Sequence, residues 1–415
     1  MKIDKKLKIL VISDHIFSPS GVGGSTKSMV DCLLKTGKYQ FLCIGGALKH
    51  QDYRPIKTQE HGDDLVIIPV DGYGTPEHVR SFIRQFKPDI LWFMTDPRFY
   101  VWLWNIAQEI RPNVPMVYYH VWDNYPYPKF NKKFYDSNDC IATISKLTSD
   151  IVKTVSPGVD EVYLPHAVNP EWFKVLEEKE YANLVQKEKT FFFWTNRNAR
   201  RKLSGSVVWW YKEFLDKVGH DKAFLLMHTD PKDPNGQDLE EIAKELGLTK
   251  ENFGISAGKV APQVMAQFYN AADCTINISD AEGFGLSVLE SLSCGTPVIV
   301  NKTGGMQDQA IGKDGKEFGV VIEPASRAVI GSQEVPYIYE DRVAGEDVVN
   351  AMIKIHNMTR EERKQLGKEA VQHVQENFSF EQFGQAWDKL LQEVHAKHGS
   401  WETRKNYKSW KVEEV

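Results

Sequence analysis

The chain has 415 residues and a mass of 47.5 kDa, with 42% hydrophobic and 26% charged residues, an ordinary globular composition large enough for two or three cored domains. Disorder, collagen and coiled coil are excluded as descriptions of the whole, and a net charge of −5 with a pI near 6.2 excludes a global basic field drawing the chain onto nucleic acid or anionic lipid. The charge is uneven: residues 1–170 hold 20 Lys+Arg against 18 Asp+Glu (+2), leaving 31 against 38 (−7) for residues 171–415, so a polyanion would more readily meet the first half.

The opening MKIDKKLKILVISDH has an apolar run of only Ile9 to Ile12, too short for a signal peptide, and reads as a first strand, KILVIS (8–13). A glycine-rich turn and a helical stretch from Ser25 to Lys35 follow. Then come FLCIGG (41–46), DLVIIPV (64–70), the helical HVRSFIRQF (78–86), DILWFM (89–94), MVYYHV (116–121) and CIATIS (140–145). Residues 171–190 are charged, lack a strand pattern and read as a surface crossover between domains. A second series follows: FFFWT (191–195), AFLLMHT (223–229), GISAGKV (254–260), CTINIS (274–279), PVIVNK (297–302) and GVVIE (319–323). Apolar strands alternating with helices predict α/β architecture, with parallel sheets covered on both faces. The expected domains are residues 1–170, joined by a C-terminal helix at about 386–415, and residues 191–385. The polar tail, 396–415, reads as a loose end or a terminal helix docked on the first domain.

The five cysteines (Cys32, Cys43, Cys140, Cys274 and Cys294) are odd in number and include no CxxC pair. That argues against a disulfide framework or zinc cluster and for a reducing, cytoplasmic setting. The most hydrophobic window, Ile90 to Ala107, is broken by Asp96, Pro97 and Arg98, so no membrane span is expected.

Gly21-Val22-Gly23-Gly24-Ser25-Thr26-Lys27-Ser28 lies between the first strand and a helix, where backbone N–H groups and the helix dipole favour an anion. A dinucleotide fingerprint fails because its last glycine is Thr26 and the second strand ends in Gly45 and Gly46 rather than an acid. A phosphate-binding P-loop fails at the same position, although Asp71 after DLVIIPV would supply a Walker-B-like strand. A tight turn without a ligand stays open beside both.

The densest signal is Ser279 to Pro297. A strand ends, a loop bracketed by Gly283 and Gly285 follows, and a short helix with apolar residues at 286, 289 and 292 stops at Gly295-Thr296-Pro297. Gly283 and Gly285 let backbone N–H groups approach a phosphate. Glu290, among leucines, needs polar partners, for which sugar hydroxyls are suitable. Glu282 sits at the loop mouth. The bland alternative is a structural turn with an acidic helix start.

EGFGLSVLESLSCGTPVI resembles the core block of the retaining family 4 glycosyltransferases of the GT-B fold (glycosyl transferases group 1), with Glu282 and Glu290 at the E-x7-E spacing. The resemblance extends over most of the chain. FFFWTNRNARRKLSG supplies Arg197 and Lys202, Gly23 and Gly24 match the family's first glycine turn, and VYYHVWD places His120 where a histidine often lies beside the transferred sugar. AGKVAPQVMAQFYNAADC resembles the nucleobase segment near Lys259 and Val260, and ENFSFEQFGQAW (376–387) resembles the late helix that returns to the first domain. There are departures: Asn196 replaces the usual glycine before the arginine, residues 325–347 are longer than expected, and HAVNPEWF replaces a Gly-Val-Asp-like run.

The resemblance implies two Rossmann-like domains facing each other across a cleft. It implies retaining transfer from a nucleotide-diphosphate sugar, most commonly a UDP-sugar, to a hydroxyl acceptor. Glu282, Arg197, Lys202 and His120 would be catalytic. Gly23, Gly24, Asn196, Lys259, Val260, Gly283, Phe284, Gly285, Leu286 and Glu290 would bind the donor, and Asp123 and Tyr125 the acceptor. Guanidinium, ammonium and amides would neutralise the departing diphosphate, so no metal or cofactor is expected. The acceptor (glycan, small molecule or modified DNA) and the oligomeric state stay open. NRNARRK also resembles phage-encoded members, some of which glycosylate hydroxymethylated bases in DNA. A non-catalytic nucleotide-sugar-binding module and a glycoside hydrolase using the two glutamates are the competing classes.

Overall fold

The computed structural model describes residues 5–186, 188–405, 407 and 408, and the chain divides into two compact units. The first takes the residues up to Ala167, 332–336 and those from Phe380 onward; the second takes 168–331 and 337–379.

The first unit is built on eight strands: β1 (Leu7–Asp14), β2 (Tyr39–Gly46), β3 (Ile56–Lys57), β4 (Leu65–Pro69), β5 (Ile90–Thr95), β6 (Met116–His120), β7 (Cys140–Thr143) and β8 (Asp160–Tyr163). Their order across the sheet is β3-β4-β2-β1-β5-β6-β7-β8, parallel except for β3. The central strands read as continuous apolar runs because both faces are covered; all six residues of β5 are buried. The Phe380–His398 helix packs in this unit, with Trp387 edge-on to Trp92 (5.7 Å) and to Tyr119 (4.9 Å). Emptying that fully buried site by Trp387→Ala costs about 3–5 kcal/mol. Of the polar tail expected at 396–415, residues 406 and 409–415 lie outside the described residues.

The second unit carries β9 (Thr190–Thr195), β10 (Ala223–His228), β11 (Phe253–Ser256), β12 (Cys274–Asn277), β13 (Val298–Asn301) and β14 (Gly319–Ile322) in the order β11-β10-β9-β12-β13-β14, all parallel. Two further strands, β15 (Ser326–Ile330) and β16 (Ile338–Arg342), pair as an antiparallel hairpin within the segment expected to be an insertion. Residues 171–190 are not purely a surface crossover, since Phe173 is buried in this unit's core against Tyr269.

Among the parallel strands of each sheet, the chain's direction of travel reverses once. In the first unit the reversal lies between β1 and β5, in the second between β9 and β12. Loops leaving the carboxyl ends of these neighbouring strands run to opposite sides and open a crevice, the usual ligand position in such sheets. Among the described residues no helix is long and apolar enough to cross a membrane, and all five cysteines are free.

Candidate functional site

The crevice of the second unit is made by the loop after β9 (196–203) and the loop after β12 (278–285). Asp280 N donates to Arg201 O (2.9 Å), and the Arg201 guanidinium donates to Ala281 O (2.7 Å). Across this seam Lys202 Nζ donates to the Glu282 carboxylate, and Arg201 stands 3.5 Å from the same carboxylate oxygen. Both partners are sheltered, with side-chain exposures of 9% for Lys202 and 14% for Glu282, so their attraction is screened less than a surface pair's.

Local sequence explains the first loop's shape. Asn198 is fully buried and works as a clamp. Its Nδ2 donates to Gln237 O (2.7 Å), and its Oδ1 accepts from Ser204 Oγ (2.5 Å). Leu203 then takes a left-handed conformation (φ 55°) that turns the chain into the Ser204–Val218 helix. For a residue with a Cβ this is an uncommon backbone, held here by the clamp on either side.

The second loop needs its glycine. Gly285 has φ 90°, and a Cβ there would stand 2.8 Å from Met306 Cγ. It starts the Leu286–Ser293 helix with no side-chain cap, so the first-turn amides at Leu286 and Ser287 have no intrahelical acceptor and the positive end of the helix dipole lies at the loop. The 304–310 segment braces this loop from behind: Gly305 N donates to Glu282 O (3.1 Å), and Gln309 Nε2 donates to Phe284 O (2.5 Å). Gly283 and Phe284 are both buried, Phe284 against Phe378.

Glu290 lies on that helix, partly buried, and accepts a hydrogen bond from Tyr269 Oη (2.6 Å). Burial pushes its carboxyl up to about 7, with the tyrosine bond opposing the rise. Asp280, buried at the neighbouring strand end, is raised to about 6 by burial and by the Glu340 charge. Lys259 and Val260 follow β11, Lys259 exposed and Val260 packed on the core that includes Tyr269. Asn196, where the resemblance led one to expect glycine, has a buried Nδ2 with no hydrogen-bond partner among the described residues.

Arg197 is apart from the Lys202–Glu282 contact. It is 64% exposed at its side chain and forked onto Asp233, with Nε to Oδ2 at 2.7 Å and Nη2 to Oδ1 at 3.2 Å. Hydrogen bonds from Arg197, and then from Asn235, hold the Asp233 carboxyl well below the usual range. The guanidinium side of this pair faces solvent, while the Asp233 side chain is 11% exposed.

In the first unit the sequence expectations fare differently. The helix begins at Gly21 rather than Ser25, capped by Ser20, so the glycines lie inside its first turn. Gly23 N donates to Ser20 Oγ (3.0 Å) and Gly24 N to Ser20 O (2.9 Å), so neither amide is open to a phosphate as expected. A Cβ on Gly23 would stand 2.3 Å from Ser18 Oγ and 2.7 Å from His15 O, so close packing by itself requires a glycine there. His120 is enclosed. It is fully buried, its Nε2 bonded to Tyr135 Oη (2.7 Å) and its Nδ1 to Tyr118 Oη (3.2 Å), and burial lowers it to about 3. The ring is a neutral histidine held between two tyrosine hydroxyls. Asp123 is half-buried, and Tyr125 donates to Asp150 Oδ2 (2.7 Å), as does Tyr127 (2.8 Å).

Sequence reasoning missed Arg201, Tyr269 and Asp280. It also missed Asp14, at the end of β1 in the first unit's crevice, which accepts from Ser20 Oγ (2.5 Å) and Tyr73 Oη (2.7 Å). A carboxylate at or just beyond the end of a switch-point strand was the available signal for Asp14, the last residue of β1, and for Asp280, shortly after β12; Tyr269 had none. Among the described residues no three His, Cys, Asp or Glu side chains converge as metal ligands.

Residues 220–372 match the family Glycosyl transferases group 1. A D-inositol 3-phosphate glycosyltransferase of Acidothermus cellulolyticus is 38% identical over 85 residues, 20% of this chain and 18% of that protein. The alpha-monoglucosyldiacylglycerol synthase of Streptococcus pneumoniae is 41% identical over 81 residues, again 20% and 18%. The matched stretch thus spans about a fifth of the length of these curated relatives. In fold, a sucrose-phosphate synthase from Thermosynechococcus elongatus superposes with a TM-score of 0.75 over 94% of this chain and 100% of that one, at 16% identity. The Anabaena protein Alr3699/HepE, solved in complex with UDP-glucose, gives 0.66 over 93% and 100%, at 14% identity.

Proposed function

From a chain that has the GT-B fold and whose residues 220–372 match the group 1 glycosyl transferases, we propose a retaining glycosyltransferase that moves a sugar from a UDP-sugar to a hydroxyl acceptor. The observation that carries this reading is the sheltered Lys202–Glu282 contact at the second sheet's switch point, eight residues before the raised carboxyl of Glu290.

The residues divide the chemistry. Glycosyl transfer breaks the bond between the anomeric carbon and the diphosphate oxygen, leaving its electron pair on the phosphate. Lys202, Arg201 and the amide-bearing start of the Leu286–Ser293 helix offer positive charge where that negative charge develops. Arg197 adds a forked donor once phosphate replaces Asp233. With these groups neutralising the leaving group, the reaction proceeds without a metal. Positive charge on the sugar ring is offset by Glu282, which also fixes Lys202. Glu290 accepts from the ribose hydroxyls while Tyr269 orients it. The acceptor oxygen bonds to the anomeric carbon on the face the diphosphate leaves, and its proton passes to the departing phosphate oxygen. The products are a glycoside of unchanged anomeric configuration and UDP.

The relatives named above support this class. One carries the name D-inositol 3-phosphate glycosyltransferase and one the name alpha-monoglucosyldiacylglycerol synthase, and a structural neighbour is solved in complex with UDP-glucose. The test is a panel of nucleotide sugars and acceptors, read by proton NMR of the product's anomeric signal. Product with the donor's configuration, formed equally in the presence of EDTA, meets the proposal. An inverted product, or turnover only with added metal, contradicts it.

A further inference from the structure

The second unit has another cleft, at the end of its sheet opposite the candidate site. Asp273 and Pro297 line it, and these immediately precede β12 and β13. The residues of the candidate site follow the carboxyl ends of the strands, so a strand length, roughly 13–20 Å, separates the two places. The cleft has a volume of about 370 Å³, within the range of small-molecule pockets.

Its floor is a backbone contact. Gly295 turns with φ 75° at the end of the Leu286–Ser293 helix, and a Cβ on Gly367 would stand 1.9 Å from Gly295 O. That approach brings the Arg360–Asn377 helix against the turn and sets its basic face along the cleft wall. Arg360, Arg363, Lys364 and Lys368 line the wall from this helix, and Lys189 faces them. The acids in the lining are Glu178 and Asp273, so the local balance is five positive against two negative. This stands against the −7 of residues 171–415 as a whole. Random scatter of charge on an acidic half does not favour such a cluster.

The cations are not equivalent. Arg360 pairs with Glu178 (3.2 Å), and Arg363 lies 2.9 Å from Asp273 while capping the carbonyls of Ile355 and Met358. Lys189 donates to Glu251 O (2.5 Å). Lys364 and Lys368 have no ion pair or hydrogen bond among the described residues, and at i,i+4 they stand side by side on one helix face. The rest of the wall mixes apolar residues, Val175, Leu176, Ala271 and Pro297, with the polar Gln186, Asn270 and Thr296. Two adjacent, exposed ammonium groups beside a wall of apolar and hydrogen-bonding residues suit a phosphate group carried by a small polar organic molecule.

We propose that this cleft binds a phosphorylated small molecule, held through its phosphate by Lys364 and Lys368, at a site separate from the one that takes the nucleotide sugar. The proposal does not rest on the donor reading: failure of UDP to bind would leave it standing.

The full-length chain is titrated by calorimetry with inorganic phosphate and with glucose 6-phosphate, each in the presence of excess UDP. Both are expected to bind, the sugar phosphate more tightly, with affinities that fall as salt rises. In Lys364→Glu/Lys368→Glu, binding of both weakens by about tenfold or more, while the UDP isotherm is unchanged. Lysine footprinting by acetylation gives a readout that needs no variant: glucose 6-phosphate protects Lys364 and Lys368 and leaves Lys354, on the preceding helix, unprotected. No binding of either probe to the wild type, equal binding in the double variant, displacement by UDP, or absence of protection would each overturn the proposal.

Discussion

Lys202 Nζ donates to the Glu282 carboxylate, joining the loop after β9 to the loop after β12 at the reversal point of the second sheet. The pair is sheltered from solvent, and a neighbouring main-chain bond from Asp280 N to Arg201 O (2.9 Å) fixes the register of the two loops. A cation held in this way is organised before a ligand arrives, which is the condition for stabilising charge that appears only during reaction.

Lys202→Met removes the ammonium and leaves Glu282 without its main partner. Transfer falls by about 10²–10³, the scale for losing one preorganised charge-stabilising group. Unfolding in urea shows a loss of up to about 3 kcal/mol, because a sheltered carboxylate keeps only the longer Arg201 contact. Glu282→Gln keeps the volume and a hydrogen-bonding oxygen. It loses transfer on the same scale with a smaller loss of stability. Equal activity in both variants and the wild type would remove the pair from the mechanism.

Glu290 gives a pH signature. Its folded value of about 7 lies above the ordinary 4.5, so between these values the folded chain holds a proton that the unfolded chain has lost. The group's contribution to stability is therefore fully present below pH 4.5 and is lost as pH rises to about 7. Glu290→Gln is then more stable than wild type at pH 8, and the difference closes on acidification. Affinity for the donor runs the other way: ribose hydroxyls donate best to the ionised carboxylate, so wild-type affinity rises through pH 7 and that of Glu290→Gln stays flat. Parallel pH profiles in the two proteins would exclude this role.

The three glycines separate geometry from binding. Gly285→Ala forces a side chain into φ 90° and against Met306 at 2.8 Å, so it lowers the melting temperature and weakens UDP binding. Gly23→Ala is destabilising through Ser18 and the His15 carbonyl. Gly24 has nothing within 4 Å of a Cβ and lies inside a helix, so Gly24→Ala stabilises by up to about 1 kcal/mol and leaves UDP binding unaltered. Weakened binding in Gly24→Ala would restore that turn to the donor site.

How much of this was legible in the sequence follows from where each signal resides. The strands that run through the middle of each sheet announce themselves as unbroken apolar runs, whereas β3 and β8, at the sheet margins, are mostly exposed and leave no such pattern. Glu282, Gly285 and Glu290 were visible because one loop and one helix carry all three. Tyr269 was not, because its contact with Glu290 comes from the packing of two helices that no local spacing encodes. The setting of His120 was not legible because the last residue of an internal strand can turn to the interior as readily as to the crevice, and two buried tyrosine hydroxyls satisfy it there.

His120→Phe tests whether this enclosed histidine takes part in transfer. It leaves the Tyr118 and Tyr135 hydroxyls short of a partner, at a cost of about 1–3 kcal/mol in stability. At a temperature where the variant is folded, KM for the donor and the transfer rate match wild type. A loss of rate in a fully folded variant would return the histidine to the chemistry.

The most direct measurement is calorimetric titration of UDP into the wild-type protein, Lys202→Met and Glu290→Gln at pH 8. Binding by the wild type, weakened about tenfold or more in each variant, is the expected result and corresponds to roughly 1.4 kcal/mol or more per group. Absence of binding by the wild type, or equal affinity in all three proteins, contradicts the placement of a nucleotide diphosphate between these residues.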